Sequence, residues 1–237
     1  MSKLFYVKDC SSTNDEISQV LLYPESDFVG IYTFNQKNGR GQYGNSWKAF
    51  PNENLAFTFA LKTENIKVSN YLFNYYTAIV VRDFIAKMAN CSPEIKWPND
   101  LILNKKKISG ILIEKKKFNK QSYFIIGIGI NILQEKFEEI SNAGSIFTQT
   151  GKRLDLKTFA KNFYNSLVEG YKNITTEGEI LEKINQHLFR KDKISVFEID
   201  GLRQNGIIRN AEPDGKITIE FEDQIKQFYL KEVKLLY

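Results

Sequence analysis

Histidine and cysteine are nearly absent from this chain, which has one of the first and two of the second in 237 residues. Cys10 and Cys91 have no CxxC spacing and make no disulfide framework, so the expectation is reduced thiols in a cytoplasmic protein. His187 has no second histidine or paired cysteine with which to share a metal, and no metal ligands are assigned. There is no Ser/His/Asp arrangement, no closely spaced acidic pair of catalytic type and no Walker lysine. No apolar run approaches membrane-spanning length, and the N-terminal MSKLFYVKDC lacks the apolar core of a signal peptide. Internal repeats and low-complexity segments are missing as well. What remains is a globular protein whose chemistry rests on fixed charge rather than on a protein nucleophile.

Charge of one sign is also in short supply. Lys and Arg number 33 against 28 Asp and Glu, a net charge of +5. That favours an anionic ligand but falls short of a concentrated basic face, which argues against the alternative of a nucleic-acid-binding module. The runs Lys105–Lys107 and Lys115–Lys117 read as solvated ends of a hairpin strand. No specific DNA and no membrane are expected as partners.

What the chain does have is a glycine loop, QKNGRGQYGNSW (Gln36–Trp47), with Gly39, Gly41 and Gly44 around Arg40. Exposed N–H groups and a guanidinium make a local anion trap. GRGQYG also satisfies GxGxxG, but that fingerprint needs a helix directly after it. NSWKAFPNEN follows instead, a loop leading into the strand Leu55–Leu61. Loops of this length are usually functional or disordered.

Elsewhere the pattern predicts strands at Leu4–Val7, Phe28–Phe34, Ile108–Glu114 and Tyr123–Asn131. Helices are expected after a Thr13/Glu16 capping box, ending at Leu21–Tyr23, and over Val68–Ala89, Leu156–Tyr171 and Glu179–Leu188. KWPND reads as strand, turn, strand around Pro98, and Ser141–Gly151 as a polar loop. Gly127 and Gly129 share one strand face, which suggests that another group approaches closely there. From Lys193 short strands take over, with a hairpin turn at Asp214-Gly215.

Four blocks, SSTN (Ser11–Asn14), NQKNGRGQYGNSW (Asn35–Trp47), KWPNDLILNKKKISGILIE (Lys96–Glu114) and GIGIN (Gly127–Asn131), resemble the signature blocks of the biotin–protein ligases, in the same order. The KWPND block with K-[IL]-[AS]-G after it is the specific part. The resemblance implies an α+β fold, a mixed sheet flanked by helices similar to class II aminoacyl-tRNA synthetases, with a small C-terminal SH3-like β-barrel. The implied domains are 1–189 and 190–237, without the DNA-binding domain that some members carry.

The implied activity uses ATP, with Mg2+, to turn biotin into biotinyl-5′-AMP and passes biotin to a lysine of a carboxylase's biotin carboxyl carrier domain. A lipoate or octanoate ligase or transferase of the same fold is the nearest alternative. By the same resemblance Ser12, Thr13 and Gln36 hold the ureido ring, and Gly39, Gly110, Gly127 and Gly129 line the biotin pocket. Arg40 and Lys96 act on carboxylate and α-phosphate as the catalytic residues. Trp47 stacks on adenine or closes over the adenylate, and Asn131 contacts the adenine edge. The expected state is a monomer or weak homodimer. Many members carry a second arginine where this chain has Gln42, at the adenylate, so either biotinyl-AMP leaks faster here or Lys37, Lys48 or another nearby cation replaces the charge, and replacement is the expectation.

Overall fold

The computed structural model describes residues 2–21, 27–137 and 140–237. The first half contains β1 (Ser2–Tyr6), α1 (Thr13–Val20), β2 (Phe28–Thr33), the short pair β3 (Gly39–Arg40) and β4 (Ser46–Trp47), β5 (Asn54–Lys62) and α2 (Asn70–Ala89). Next come β6 (Glu94–Lys96), β7 (Asp100–Leu103), β8 (Lys106–Phe118), β9 (Gln121–Asn131), α3 (Ile146–Thr150), α4 (Leu156–Lys172) and α5 (Glu177–Gln186). The chain ends in β10 (Ile194–Ile199), β11 (Leu202–Ala211), β12 (Ile217–Glu220), β13 (Ile225–Phe228) and β14 (Lys234–Leu236).

A seven-stranded mixed sheet runs β1-β2-β5-β9-β8-β7-β6, with β1 and β2 parallel and the other pairs antiparallel. The period of two gives its central strand β9 two unlike faces. Phe124, Ile126, Ile128 and Ile130 point one way and pack with Phe57, Phe59, Phe73, Phe163 and Leu167 in the main core under α2 and α4. Tyr123 and Ile125 point the other way, with Ile17 of α1 and Leu21 just after it, in a smaller cluster. Along that second face the side chains shrink to Gly127, Gly129, Ala56 and Thr58. A sheet face that loses its side chains is a floor for something else.

α2 is apolar on most sides because α4, α5 and the sheet surround it. The Ser69 hydroxyl accepts from Leu72 N–H at its start, and Asn90, at φ 46°, ends it in the left-handed region. No helix among the described residues is long and apolar enough to cross a membrane, and Cys10 and Cys91 are free thiols.

Several expectations need correction. The Thr13/Glu16 capping box does not form: Ser12 is the N-cap without a side-chain cap bond, and the Thr13 hydroxyl turns to Gln36. The expected helix end at Leu21–Tyr23 lies partly in 22–26, outside the described residues. The glycine stretch, expected as a loop, contains the short pair β3 and β4, while no helix follows Gly44, as expected. Ser141–Gly151 contains α3, opened by a capping box of Ser145 and Thr148. Lys115–Lys117 lie inside β8, paired with Phe124, Tyr123 and Ser122, rather than at its end.

The C-terminal strands form an antiparallel sheet in the order β13-β12-β11-β10-β14. No ladder joins β13 to β14 among the described residues, so this is an open five-stranded sheet and not a closed barrel. Its apolar side, including Phe197, Ile208 and Ile219, belongs to the main core. The Asn185 amide of α5 ties it down, accepting from Ala211 N–H at 2.7 Å and donating to Ala211 O at 3.0 Å.

Candidate active site

The glycine floor opens into a cavity of about 480 Å³ roofed by the loop and closed on one side by the C-terminal sheet. One end is uncharged. Ser12, Thr13 and Asn14, at the start of α1, face the sheet and are buried. Gln36 Oε1 accepts from Thr13 N–H at 2.9 Å and from the Thr13 hydroxyl at 3.2 Å. Thr58, buried in β5, has its hydroxyl 2.8 Å from Thr13 Oγ1 and 2.6 Å from Asn14 Oδ1. These bonds fix the orientation of Gln36 and Asn14, as a polar pocket for a neutral heterocycle requires.

The other end is cationic. Arg40, Lys96, Lys107, Lys231 and Lys234 line the cavity, against a single carboxylate among the described residues, that of Asp100. Lys96 ends β6 and Asp100 begins β7, joined by a turn with a cis Trp97–Pro98 peptide. The turn is fixed by Asn99, whose amide donates to Ile111 O at 2.5 Å. Lys96 Nζ lies 4.8 Å from the centroid of the Tyr237 ring. Burial lowers its pKa from the ordinary 10.5, Asp100 opposes the shift, and Lys107 and Lys234 add to it. A lysine with depressed pKa beside a cleft is a functional-site signature.

Lys107 was expected on a solvated hairpin end, yet its Nζ pairs with Asp100 Oδ1 at 2.7 Å and lies 5.8 Å from the Trp47 ring centroid. The cause is a bulge: two residues of β7, Leu101 and Ile102, face three of β8, Ser109, Ile108 and Lys107. The extra residue brings Lys107 and Gly110, three apart, onto one face, where simple alternation separates them.

Trp47 lies across the cross-strand pair Gly110 and Gly129. A Cβ on Gly129 would come 2.6 Å from the indole Nε1, and one on Gly110 3.1 Å from Cζ3. Gly127 makes room for Asn14 instead, with Oδ1 2.5 Å from where a Cβ would stand. The close approach expected at Gly127 and Gly129 is therefore made by protein side chains, and the indole becomes a wall of the cavity.

Arg40, on the loop, is exposed and held by acids: its guanidinium donates to Asp15 Oδ1 at 2.7 Å and lies 3.8 Å from Glu114 Oε2. Glu114 also accepts from Asn14 Nδ2 at 3.1 Å, which joins the cationic and uncharged ends. Gln42 lines the cavity. Two expected residues do not. Gly39 is packed under the loop between Gln36 and Trp47. Asn131 is buried and donates to Gly144 O at 2.9 Å, while its Oδ1 has no partner. Asp100, Lys107, Asn14, Lys231 and Lys234 were not among the expected site residues. The acidic and amide members stood inside recognised motifs, whereas Lys231 and Lys234 carry no local signal.

Comparison with known proteins gives the same picture. A profile of the Biotin/lipoate A/B protein ligase family matches residues 6–131. The bifunctional ligase/repressor BirA of Escherichia coli is 27% identical over 208 residues, 84% of this chain and 64% of that protein. The chain thus spans just under two thirds of that relative's length. Biotin–protein ligase 2 of Arabidopsis thaliana is 31% identical over 138 residues, 56% of this chain and 41% of that one. A solved structure of the biotin protein ligase from Aquifex aeolicus in complex with biotin and ATP shares the fold, with a TM-score of 0.82 at 24% identity over 99% of this chain and 98% of that one. With the profile covering more than half of its length and each matched block built into one cavity, the chain belongs to the biotin/lipoate A/B protein ligase family.

Proposed function

We propose that this protein is an ATP-dependent biotin–protein ligase. The observation that carries the reading is the two-ended cavity, an uncharged amide and hydroxyl pocket joined to a cluster of five cations facing one carboxylate. Such a site suits a neutral ring with a carboxylate tail, brought against a triphosphate. In the first step a biotin carboxylate oxygen attacks the α-phosphorus of ATP, and the bond to the β-phosphate bridge oxygen breaks as pyrophosphate leaves. In the second, the neutral amine of an acceptor lysine on a biotin carboxyl carrier domain attacks the acyl carbon. AMP leaves with the bond electrons and the amine loses a proton to solvent.

Ser12, Thr13 and Gln36 hold the ureido ring beside Asn14 and Trp47, the side chains that cover Gly127 and Gly129, and Arg40, Lys96 and Lys107 stabilise charge on carboxylate and α-phosphate. Trp47 walls the adenylate, whereas Asn131, buried outside the cavity lining on Gly144 O, is given no part in reading adenine. Arg40 exchanges Asp15 and Glu114 for phosphate when the nucleotide arrives. Mg2+ brought by ATP would neutralise phosphate charge; Asp100, the one carboxylate lining the cavity among the described residues, is held by Lys107, and no cluster of three metal-ligating side chains exists among those residues to hold the ion. The unit from 190 to 237 is read as an SH3-like domain appended to a synthetase-like catalytic domain over 1–189.

ATP–pyrophosphate exchange, run with biotin and with lipoate, tests the reading. Exchange that depends on biotin is expected. Exchange with lipoate alone would move the chain to the lipoate branch of its family, and none with either would overturn the activity.

The indole wall makes a further prediction. Gly129→Ala is expected to push Trp47 off the floor and slow adenylation about 5- to 150-fold, the range of a 1–3 kcal/mol overpacking penalty. A variant that exchanges pyrophosphate at the wild-type rate would show that the wall is dispensable.

A further inference from the structure

Tyr43 and Lys231 line the cavity but have no part in the chemistry above. Tyr43 is the tip of the glycine loop and is 62% exposed. Lys231 sits in the turn between β13 and β14, at the other end of the chain. Both hold their backbones in the left-handed region, at φ 57° and 80°, an uncommon choice for a ring and for a long side chain, and one that clusters at functional sites. The two side chains meet, with Lys231 Nζ 3.9 Å from the centroid of the Tyr43 ring.

Each partner is braced from below. In the loop, Gly41 N–H donates to Asn45 O at 2.7 Å and Asn45 N–H to Gln42 O at 3.2 Å. In the turn, Glu232 accepts from Tyr229 N–H at 2.7 Å through its carboxylate and donates its own N–H to Tyr229 O at 3.1 Å. Among the described residues no carboxylate forms an ion pair with Lys231, so its ammonium has the ring on one side and the cavity on the other. Gln42, beside Tyr43, contributes no charge. Lys37 and Lys48, the lysines nearest in sequence, do not line the cavity.

We propose that Lys231 is a positioning residue that latches the glycine loop: seated on Tyr43, it pins the loop across the cavity mouth and keeps there the positive charge that Gln42 lacks. The C-terminal sheet thereby takes part in holding a bound anion. A cation–π contact of this kind shifts an equilibrium roughly 2- to 30-fold, according to how far it is desolvated. Where the anion is the adenylate, the inference rests on the proposed activity; the pinning of the loop does not.

Two measurements on Lys231→Ala, Tyr43→Leu and their double variant test it. Limited proteolysis within 39–46 of the substrate-free protein reads the latch alone, and release of labelled biotinyl-adenylate without acceptor reads anion retention. Each single variant is expected to raise both rates by about fivefold or more, and the double variant no further, because the two side chains act as one unit. Lys231→Arg, which preserves charge and stacking, should stay within about twofold of wild type. Unchanged cleavage in Lys231→Ala, or additive effects in the double variant, would overturn the latch. Faster cleavage with unchanged adenylate release would overturn the retention role. A wild-type protein that makes no adenylate would refute the proposed activity, and the cleavage measurement would still decide the latch.

Discussion

Replacing Lys96 with alanine is expected to lower the adenylation rate about 100-fold while biotin affinity changes by less than about threefold. An ammonium beside the α-phosphate acts on charge that is largest in the transition state, and losing one such contact typically costs about 3 kcal/mol of barrier. Burial disfavours the charged form of Lys96, as the lowered pKa records, so the side chain is held in place at some expense of stability. A melting curve of Lys96→Ala, measured beside the rate, separates loss of chemistry from loss of packing around Tyr237. Single-turnover formation of labelled adenylate, beside a biotin titration, checks both halves. A rate within threefold of wild type would remove Lys96 from the catalytic set.

Much of this site was legible in the sequence because its residues sit in short motifs with local physical causes. GIGIN has glycines on one strand face, and the face that they leave bare is the cavity floor. KWPND requires a turn at Pro98, and that turn sets Lys96 and Asp100 on adjoining strands. The long strands and helices were legible for the same reason, since alternation and helical spacing reflect burial on one side or both.

The rest depended on contacts that no local pattern records. Thr13 and Glu16 have the spacing of a capping box, but Gln36, 23 residues away, competes for the Thr13 hydroxyl and wins it. A single bulge in β8 turns Lys107 from the outside to the inside, and NKKK looks the same in either case. Lys231 reaches the loop only because the C-terminal sheet packs through Asn185 and Phe197 onto the main core. Tertiary packing decides such cases, and a single sequence gives it no local signature.

Lys107 is expected to matter nearly as much as Lys96, and in a way that a pH profile can separate. It is held by Asp100 at 2.7 Å, beside the indole wall, with its ammonium on the cationic side of the cavity. Lys107→Ala should slow adenylation by about 30- to 100-fold, as the loss of one charged stabiliser does. It should also change how Lys96 titrates. Burial is the main cause of the lowered Lys96 pKa, with Lys107 contributing as a like charge and Asp100 opposing. Removing Lys107 takes away a repulsion and releases Asp100 toward Lys96, and both changes favour the protonated form. In wild type the basic limb of kcat/KM for ATP, which reports the free enzyme, should therefore fall below the 10.5 of an ordinary lysine. In Lys107→Ala the limb should move upward although the rate is lower. Lys96→Arg identifies the group, because a guanidinium does not deprotonate in this range and the limb should vanish. A basic limb that stays where it was in Lys107→Ala, or a rate within threefold of wild type, would return Lys107 to the role of a strand residue whose charge merely neutralises Asp100.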